Sequence, residues 1–416
     1  MAKGNKNFFK KKNEWSIVKD RLLECYLKPY LQKILMSHRS IIYIDCFAGK
    51  GKFDDGNDGS PLIALKVRDD CLRTTRASKA HIYSVFIELN HADDLKHNIS
   101  DFHHNGEVLI VSGKFEEEIE MILSSKKGWN VFLYVDPYGI KALDLKLFQG
   151  FSKSGFYSIE LLINMNSFGF FRDACRVMEV ERVLHDEIFF GLDETIVEYD
   201  PTIVDSSTQS EILLTNIAGG DYWRDIVLDY KNEVISGYQA ERCFSEHYRK
   251  MLQKSYDYVL DMPIRLREGQ RPKYRMIHAT NHVDGCYLMA ENMQKRKNEL
   301  FTNVQGSNQM SFSDLDSSLS VSMDDEFISR ESIMDKLIIH MQTQESPIRL
   351  NKFIATFFNE YGLLCDFKVI HNIFEELECR DEIIIKRFPP LTKKGRESKF
   401  WEDKGETQKI FIEYIT

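Results

Sequence analysis

Residues 41–51 read IIYIDCFAGKG, a short apolar run that ends in Asp45 and passes into a loop with Gly49 and Gly51. The β-branched run predicts a buried strand. The Gly-x-Gly turn lets the backbone approach a bound ligand closely, although a tight turn without a ligand uses the same pattern. Asp54 stands where the longer dinucleotide fingerprint has its third glycine. This stretch therefore predicts the first strand of an open α/β sheet, followed by a candidate ligand loop.

Further apolar runs follow, with amphipathic segments between them. Strands that alternate with helical stretches indicate βαβ units and a parallel sheet. Two later runs, YDYVLDMPIRL and KYRMIHATNHV, predict a hairpin that closes one edge of the sheet. Before the first strand, apolar residues at helical spacing predict one or two helices between Glu14 and Met36. The central runs are HIYSVFIE ending at Glu88, EVLIVSG ending at Gly113, NVFLYVD ending at Asp136 and SIELLINMN ending near Asn166.

At about 150 residues per domain, a chain of 416 residues predicts two or three domains. We divide it into a helical segment 1–40, an α/β domain 41–300 with a helical insertion at about 170–255, a linker 301–326 and a C-terminal domain 327–416. The linker is rich in Ser, Asn, Gln and Asp. The last domain has three helices followed by a hairpin, which is the order of a winged helix. The predicted fold class is thus α/β, a Rossmann-like sheet with a helical insertion, plus a C-terminal winged-helix domain.

Composition excludes several classes of protein. Hydrophobic residues make up 43% and aromatic residues 12% of the chain, which is too much for a wholly disordered protein. The net charge of −9 excludes a uniformly basic coat but leaves local basic patches open. The eight cysteines show no zinc spacing, so we expect reduced thiols in a cytoplasmic protein and no metal. No apolar run reaches about 18 residues, so no membrane span is expected. The basic stretch 1–12 predicts either a solvated tail or a nucleic-acid arm.

Acidic residues end three of the predicted strands. Glu88 can accept hydrogen bonds from both hydroxyls of a ribose. Asp136, or the carbonyl beside it, can accept from the exocyclic amine of a planar base while Tyr138 stacks on the ring. Each feature alone is compatible with an ordinary strand end or turn. Because ligands bind outside the carboxyl ends of the strands in open α/β sheets, the three together favour a ligand site.

The order of these motifs resembles class I S-adenosylmethionine-dependent methyltransferases: DCFAGKG, GSPLIA at 59–64, FIELN and VDPYG. The GSP element resembles ribosomal-RNA adenine-N6 methyltransferases, and DPYG without a second proline is closer to tRNA guanine-N2 dimethyltransferases. Over roughly residues 14–295 the chain is similar to the bacterial three-Cys-motif partner protein family, in Trp15, YIDCFAGKG, GSPLIAL, FIE, DPYG, ELLIN and YRMIHATNH. That family is named for a neighbouring radical-SAM-like protein, which is the protein partner that the resemblance implies.

The resemblance implies S-adenosylmethionine as the cofactor and assigns roles to individual residues. Lys114 stands where many members of the superfamily place an acid, so a backbone group of Lys114 or Phe115 would meet the adenine. Asn164 and Arg172 could form part of the acceptor rim, or could serve only as a turn residue and a solvated helix residue. The implied catalytic residues, which face the acceptor, are Asp136, Pro137 and Tyr138. The implied cofactor-binding residues are Asp45, Phe47, Ala48, Gly49, Gly51, Glu88, Lys114 and Phe115.

The C-terminal region has a charge of its own. Between residues 386 and 409 there are eight Lys or Arg and only four acids, with Phe388, Phe400 and Trp401 among them. A basic wing of this kind can contact phosphates. The third helix is acidic toward its end, which disfavours entry of the whole helix into a major groove, so protein docking stays open as the alternative. The predicted nucleic-acid-binding residues are Lys386, Arg387, Lys393, Lys394, Arg396 and Lys399.

These observations and the resemblance lead to one leading hypothesis and two alternatives. The first is a methyltransferase that acts on a nucleic-acid base, RNA in preference to DNA. The second is a non-catalytic methyltransferase-like adaptor, which would bind nucleic acid or the radical-SAM-like partner in a bacterial mobile-element or defence-type system. The third is a DNA adenine-N6 methyltransferase.

Overall fold

The computed structural model describes two compact units, Met1–His282 and Val283–Thr416. No helix among the described residues has both the length and the apolar character that crossing a bilayer demands. The described residues are 9–12, 14–75, 80–102, 107–181, 208–264, 272, 274–305, 319–321, 327–403 and 407–415.

A seven-stranded sheet forms the centre of the first unit, in the order β3-β2-β1-β4-β5-β7-β6. The first five strands are parallel, and β7 and β6 run antiparallel beside β5. The predicted Rossmann-like sheet and the edge hairpin are therefore confirmed. The strands are β1 (Ile41–Asp45), β2 (Ile82–Glu88), β3 (Val108–Ser112), β4 (Asn130–Val135), β5 (Ser158–Met165), β6 (Tyr258–Ile264) and β7 (Tyr274–Thr280).

The strand order reverses direction between β1 and β4, and this reversal locates the crevice of the sheet. Ile41 pairs with Ile82 on one side and with Asn130 on the other. Ligands of doubly wound sheets bind outside the carboxyl ends of the strands at such a switch point. The strands β1, β4, β5 and β7 are buried along their whole length, as expected where helices cover both faces.

Helices cover both faces of this sheet. The first is a single helix that continues through Pro29, where the sequence leaves one or two helices open. Three of the later helices lie wholly within the predicted insertion 170–255, of which residues 182–207 are outside the described part. The helices are α1 (Glu14–Met36), α2 (Ser60–Thr74), α3 (Ala92–Asn98), α4 (Phe115–Leu123), α5 (Leu145–Phe151), α6 (Ser167–Val177), α7 (Thr208–Ala218), α8 (Tyr222–Lys231) and α9 (Gly237–Gln253), with a short 3-10 helix at Ser100–Phe102.

Helix α1 packs on one face of the sheet through aromatic rings and one polar group. The Tyr26 ring lies 5.9 Å from that of Phe132 on β4, measured between centroids. Its hydroxyl donates to Glu160 on β5, which also contacts Nε2 of His278 at 2.9 Å. All of these side chains are buried. Because buried polar groups require partners, this arrangement fixes α1 against β4 and β5.

The second unit begins with a long helix and continues with short strands and helices. Its last three strands form an antiparallel sheet in the order β10-β12-β11. The elements are α10 (Val283–Gln305), β8 (Leu319–Val321), β9 (Phe327–Ser329), α11 (Arg330–Thr343), β10 (Ile348–Arg349), α12 (Leu350–Tyr361), α13 (Phe367–Cys379), β11 (Ile383–Phe388) and β12 (Lys409–Tyr414).

The division between the units lies earlier than the predicted domain boundary at residue 300. Helix α10 belongs to the second unit and extends to Gln305, into the predicted linker 301–326. Within that linker, residues 319–321 form β8, which pairs with β9. The remaining linker residues, 306–318 and 322–326, lie outside the described part of the chain.

Candidate active site

The loop after β1 requires glycine at two positions. Gly49 and Gly51 adopt φ values of +60° and +76°, which L side chains rarely adopt. A Cβ atom at Gly51 would lie 2.9 Å from Cδ1 of the buried Leu95. The N–H of the buried Ala48 donates to the carbonyl of Ile87 at 3.0 Å. The loop is thus held tightly against the end of β2.

Glu88 organises this loop from the end of β2. Its Oε2 accepts from the N–H of Gly49 at 2.8 Å. Its Oε1 accepts from the N–H groups of Asn90 at 2.8 Å and His91 at 3.0 Å. A carboxylate has about four acceptor positions, so within the described residues one position on Oε2 has no partner. The half-buried Glu88 can therefore hold the loop and still accept from a ligand hydroxyl.

Asp45 is a fully buried carboxyl at the end of β1. Ser60 Oγ donates to its Oδ2 at 2.6 Å, and the N–H of Phe47 donates to its Oδ1 at 3.3 Å. Burial raises the pKa of Asp45 to about 7, against the lowering effect of these two hydrogen bonds, and the nearby Asp136 and Asp20 add to the rise. No lysine or arginine among the described residues pairs with Asp45. The site therefore contains a carboxyl that a positively charged ligand would stabilise in its ionised form.

Asp136 follows β4 directly, and donors surround its carboxylate. The Nζ of Lys19, on α1, lies 2.8 Å from both Oδ1 and Oδ2. Asn164 Nδ2 donates to Oδ1 at 2.6 Å, and the Tyr134 hydroxyl donates to Oδ2 at 3.3 Å. These four contacts match the acceptor capacity of a carboxylate. Asp136 is thus fully engaged in this structure, whereas the sequence suggests an open acceptor.

Lys19 is not among the site residues predicted from the sequence, and it lies 117 residues before its partner Asp136. One signal is present in the sequence. Trp15, Val18 and Leu22 form an apolar stripe at helical spacing, and Lys19 falls within that stripe. A lysine on the buried face of a helix needs a carboxylate partner, because its charge is costly to bury alone. The stripe predicts such a partner but does not identify it.

The remaining acceptor residues differ in exposure. Pro137 is buried, while 50% of Tyr138 is exposed to solvent, so its side chain can be reached by a planar group. Asn164 is only 3% exposed, and its Oδ1 has no hydrogen-bond partner among the described residues. Arg172 lies half-buried on α6. In the sheet, Asp136 and Tyr138 follow the end of β4, and Asn164 lies near the end of β5, as their positions in the sequence predict.

Residues 9–12 lie over the loop after β1. The carbonyl of Phe9 accepts from the N–H of Asp54 at 2.8 Å, and a Cβ atom at Gly49 would be 3.2 Å from the Phe9 ring. Lys12 Nζ lies 2.5 Å from Oδ2 of Asp20, whose pKa is raised to about 6 by burial despite the attraction of Lys12. The described part of the basic stretch is therefore packed against the candidate site. Residues 1–8 lie outside the described chain.

The predicted adenine contacts after β3 occupy different environments. Lys114 is exposed just before α4, and its Nζ lies 2.8 Å from Oε1 of Glu117, which raises the pKa of Lys114. Phe115 is buried, with its ring 5.4 Å from that of Phe47. The Lys114 side chain is thus committed to a surface ion pair. The two phenylalanines form an apolar wall behind the loop.

The six predicted nucleic-acid-binding residues separate into two groups. Lys386 pairs with Glu413 across β11 and β12. Arg387 lies 4.9 Å from the Trp401 ring centroid and donates to the carbonyl of Phe400 at 3.1 Å. The other four lie exposed in the segment between the strands, and these are Lys393, Lys394, Arg396 and Lys399.

Comparisons with known proteins add little at the level of sequence. No protein-family model matches the chain, and no curated protein matches it. Solved structures that resemble it include a putative caffeoyl-CoA O-methyltransferase from Staphylococcus aureus, at 15% identity and a TM-score of 0.26, covering 61% of this chain and 81% of that one. Another is an O-methyltransferase from Bacillus cereus in complex with SAH, at 14% identity and a TM-score of 0.28, covering 62% and 79%.

A third is the geranyl diphosphate C-methyltransferase from Streptomyces coelicolor, at 12% identity and a TM-score of 0.21, covering 61% of this chain and 78% of that chain. Identities and TM-scores are low in all three cases. The Rossmann-like assignment therefore rests on the strand order and register of this chain. Within the described residues, no group of three His, Cys, Asp or Glu side chains is arranged to hold a metal ion.

Proposed function

We propose that this chain is an S-adenosylmethionine-dependent methyltransferase, with its active site at the carboxyl ends of β1, β2 and β4. The observation that carries the proposal is Asp45, a fully buried carboxyl without a cationic partner among the described residues. It lies at the start of a glycine loop that also contacts Glu88, a carboxylate with one acceptor position still open. The ordered motifs also support membership in the three-Cys-motif partner protein family.

The residues of the site fit this cofactor. Its amino-acid portion is positively charged at the α-amino group and at the sulfonium, which Asp45 would stabilise in a buried setting. The open acceptor position on Glu88 Oε2 suits a ribose hydroxyl. Gly49 and Gly51 bring backbone close to the ligand. When bound, the cofactor supplies an electrophilic methyl group.

The proposed acceptor is a base nitrogen of a nucleic acid, RNA in preference to DNA. The half-exposed Tyr138 supports it, because an accessible ring at the crevice can stack on a base. Asp136, Pro137 and Asn164 would orient the acceptor amine. The chain's contribution is to align nitrogen and methyl, and such positioning accounts for a large part of many enzymatic rate enhancements.

We assign nucleic-acid contact to the second unit. Its helices α11, α12 and α13 and its sheet β10-β12-β11 support a winged helix, with the segment between β11 and β12 as the wing. Four exposed basic side chains on that segment suit phosphate oxygens. A cytoplasmic location and a radical-SAM-like protein partner complete the proposal.

A second candidate function is a non-catalytic adaptor, and one observation favours it. All four acceptor positions of Asp136 are already taken by Lys19, Asn164 and Tyr134. In an adaptor, a carboxylate bound in this way would serve to hold α1 on the sheet. In an adaptor, Asp136→Ala would leave the cofactor affinity and the assembly of any complex unchanged.

Calorimetric titration with S-adenosylmethionine tests the cofactor site. We expect micromolar binding, about 8 kcal/mol, in the wild-type protein and its loss in Asp45→Ala and Glu88→Ala. Glu117→Ala is the matched control, because that acid is exposed on α4 and pairs with Lys114 at the surface. An absence of heat, together with no thermal stabilisation at millimolar ligand, would refute the proposal. Methyl transfer from labelled cofactor to folded RNA and to duplex DNA, with Asp136→Ala in parallel, then separates the enzyme from the adaptor.

A further inference from the structure

The Lys19 ammonium occupies a defined position at the acceptor end of the crevice. Its Nζ lies 2.8 Å from each oxygen of Asp136 and 5.0 Å from the centroid of the Tyr274 ring. The Trp15 ring meets Tyr274 edge-on at 6.3 Å. Lys19, Trp15 and Tyr274 are each less than 10% exposed. A nitrogen that donates two hydrogen bonds is thus held between a carboxylate and an aromatic face.

Two groups besides Lys19 also hold the carboxylate of Asp136. Asn164 Nδ2 and the Tyr134 hydroxyl hold one oxygen each, and both come from strands of the sheet. Lys19 instead reaches the site on a flexible four-carbon stem. Asp136 also retains 23% exposure of its side chain, so its oxygens lie at the edge of solvent. Asp136 is therefore held by groups of the sheet as well as by Lys19, and the lysine is the donor that an entering ligand can replace.

The same site has an unused acceptor. Oδ1 of Asn164 is buried and has no hydrogen-bond partner among the described residues. Buried polar atoms in native proteins normally have partners, so this oxygen is an acceptor that a ligand or a water molecule at the site can use. An entering amine with two or more N–H groups can donate to Asp136 and to this oxygen together.

We propose that Lys19 stands in for the amino group of the acceptor, and that the site takes a primary amine that displaces Lys19 as it binds. This inference rests on the proposed function and deepens it, because it identifies the chemical group that the acceptor end recognises. Before the acceptor arrives, Lys19 keeps Asp136 from being left as an unpaired, half-buried charge. The acceptor must then exchange with Lys19, because the carboxylate already has its full set of donors.

Chemical rescue of a Lys19→Ala variant tests whether the position of the Lys19 ammonium accepts an external primary amine, which the exchange requires. Alanine removes three methylenes and the ammonium, a fragment that n-propylammonium chloride replaces. We expect n-propylammonium to raise the melting temperature of Lys19→Ala by a few degrees at ten times its Kd. Tetramethylammonium chloride is the matched salt, since it has the charge but no N–H donor, and it should give no comparable rise.

Two further variants separate the site from general effects of the amine. Lys28→Ala lies on the same helix and removes an ion pair with Asp70, in which the lysine side chain is 53% exposed. It should show no rescue. Lys19→Met fills the space without the charge and should also show none. If Lys19→Ala does not fold alone, n-propylammonium present during refolding should restore a cooperative transition, and tetramethylammonium should not.

Equal shifts with both salts, equal shifts in Lys28→Ala, or no shift at all would overturn the exchange. Methyl transfer is read separately, by mass spectrometry of Lys19→Ala incubated with S-adenosylmethionine and n-propylamine at alkaline pH. The neutral nitrogen lone pair forms a bond to the methyl carbon as the carbon–sulfur bond breaks. Sulfur keeps that electron pair, and the nitrogen then loses a proton to water. Rescue without N-methylpropylamine would uphold the amine site and count against the proposed methyltransferase.

Discussion

The backbone N–H of Gly49 donates to Oε2 of Glu88 at 2.8 Å, and this bond joins the loop after β1 to the end of β2. The two strands are already in register, with Asp45 opposite Phe86. The loop conformation therefore depends on a side chain of the neighbouring strand as well as on its own glycines. Disturbing either partner should change ligand binding.

Replacing Glu88 by glutamine should weaken cofactor binding about tenfold or more, or roughly 1.4 kcal/mol. Both oxygens of the wild-type carboxylate accept from backbone N–H groups, but the amide has only one acceptor oxygen. Its NH₂ group would therefore place a donor against a backbone N–H donor. Calorimetric titration with S-adenosylmethionine measures the change. Glu117→Gln, an exposed acid on α4, is the control and should bind as the wild type does. Equal affinities in the two variants would contradict a role for Glu88.

Gly51→Ala should destabilise the protein more than Gly56→Ala. Both residues have positive φ values, +76° and +89°, so alanine is strained by roughly 1–2 kcal/mol at either position. At Gly51 the new Cβ also lies 2.9 Å from the buried Leu95, whereas nothing lies within 4 Å at Gly56. Such overpacking adds about 1–3 kcal/mol. Urea unfolding of both variants measures the difference, and equal midpoints would disprove the steric argument.

Asp45→Asn should alter how stability depends on pH. The pKa of Asp45 is raised from 3.8 to about 7, so its protonated form is the stabilising one. Its contribution is complete below pH 3.8 and is lost as pH rises through about 7, because the unfolded state ionises first. At about 1.4 kcal/mol per pKa unit, the full loss is at most about 4 kcal/mol.

The measurement is urea unfolding of wild type and Asp45→Asn at about pH 4.5 and about pH 7.5. These two values bracket most of the pH range in which the contribution of Asp45 to stability is lost. The difference between the two proteins removes the contribution of the other titrating groups. Asp20 shifts in the same direction, to a pKa of about 6, and stays present in both. We expect asparagine to favour folding more at the higher pH than at the lower, relative to wild type. A difference that does not change with pH would contradict the raised pKa.

Lys394→Ala should reduce the salt dependence of RNA binding more than Lys386→Ala. Lys394 is exposed, whereas Lys386 is already paired with Glu413. The slope of log K against log salt is negative. Each phosphate that the variant no longer neutralises reduces the magnitude of this slope by about 0.7 for single strands and about 0.9 for duplexes. Fluorescence anisotropy with a labelled RNA hairpin at several salt concentrations gives both slopes. Identical slopes in the two variants and the wild type would leave protein docking as the use of this segment.

Much of the fold could be predicted from local patterns. The apolar runs and the alternation of strand and helix are local properties, and they locate β1 to β7 and the edge hairpin within about three residues. For example, the sequence predicts a run that ends at Asp136, and β4 ends at Val135. The boundary between the units, at His282 and Val283, was harder to predict. Helix α10 runs from Val283 to Gln305, so the predicted boundary at residue 300 falls inside a regular helix.

Less of the candidate site could be predicted. The carboxylates at strand ends could be located, since parallel strands end at one edge of the sheet. Their partners could not, because Lys19 comes from a helix that precedes the whole sheet in the chain. The same holds for Phe9 and Lys12, which lie against the loop after β1. The backbone N–H of Lys12, for example, donates to Oδ2 of Asp55, which is 43 residues away in the chain.

The sequence alone determined the type of sheet, the glycine loop and the three acids at its edge, since periodicity and turn chemistry depend on neighbouring residues. Only the tertiary structure decided the state of those acids. Asp45 is buried without a cation among the described residues, Glu88 binds backbone N–H groups, and Asp136 is held by Lys19. The reason is physical: ionisation and hydrogen bonding depend on what folding brings within a few ångströms, whatever the separation along the chain.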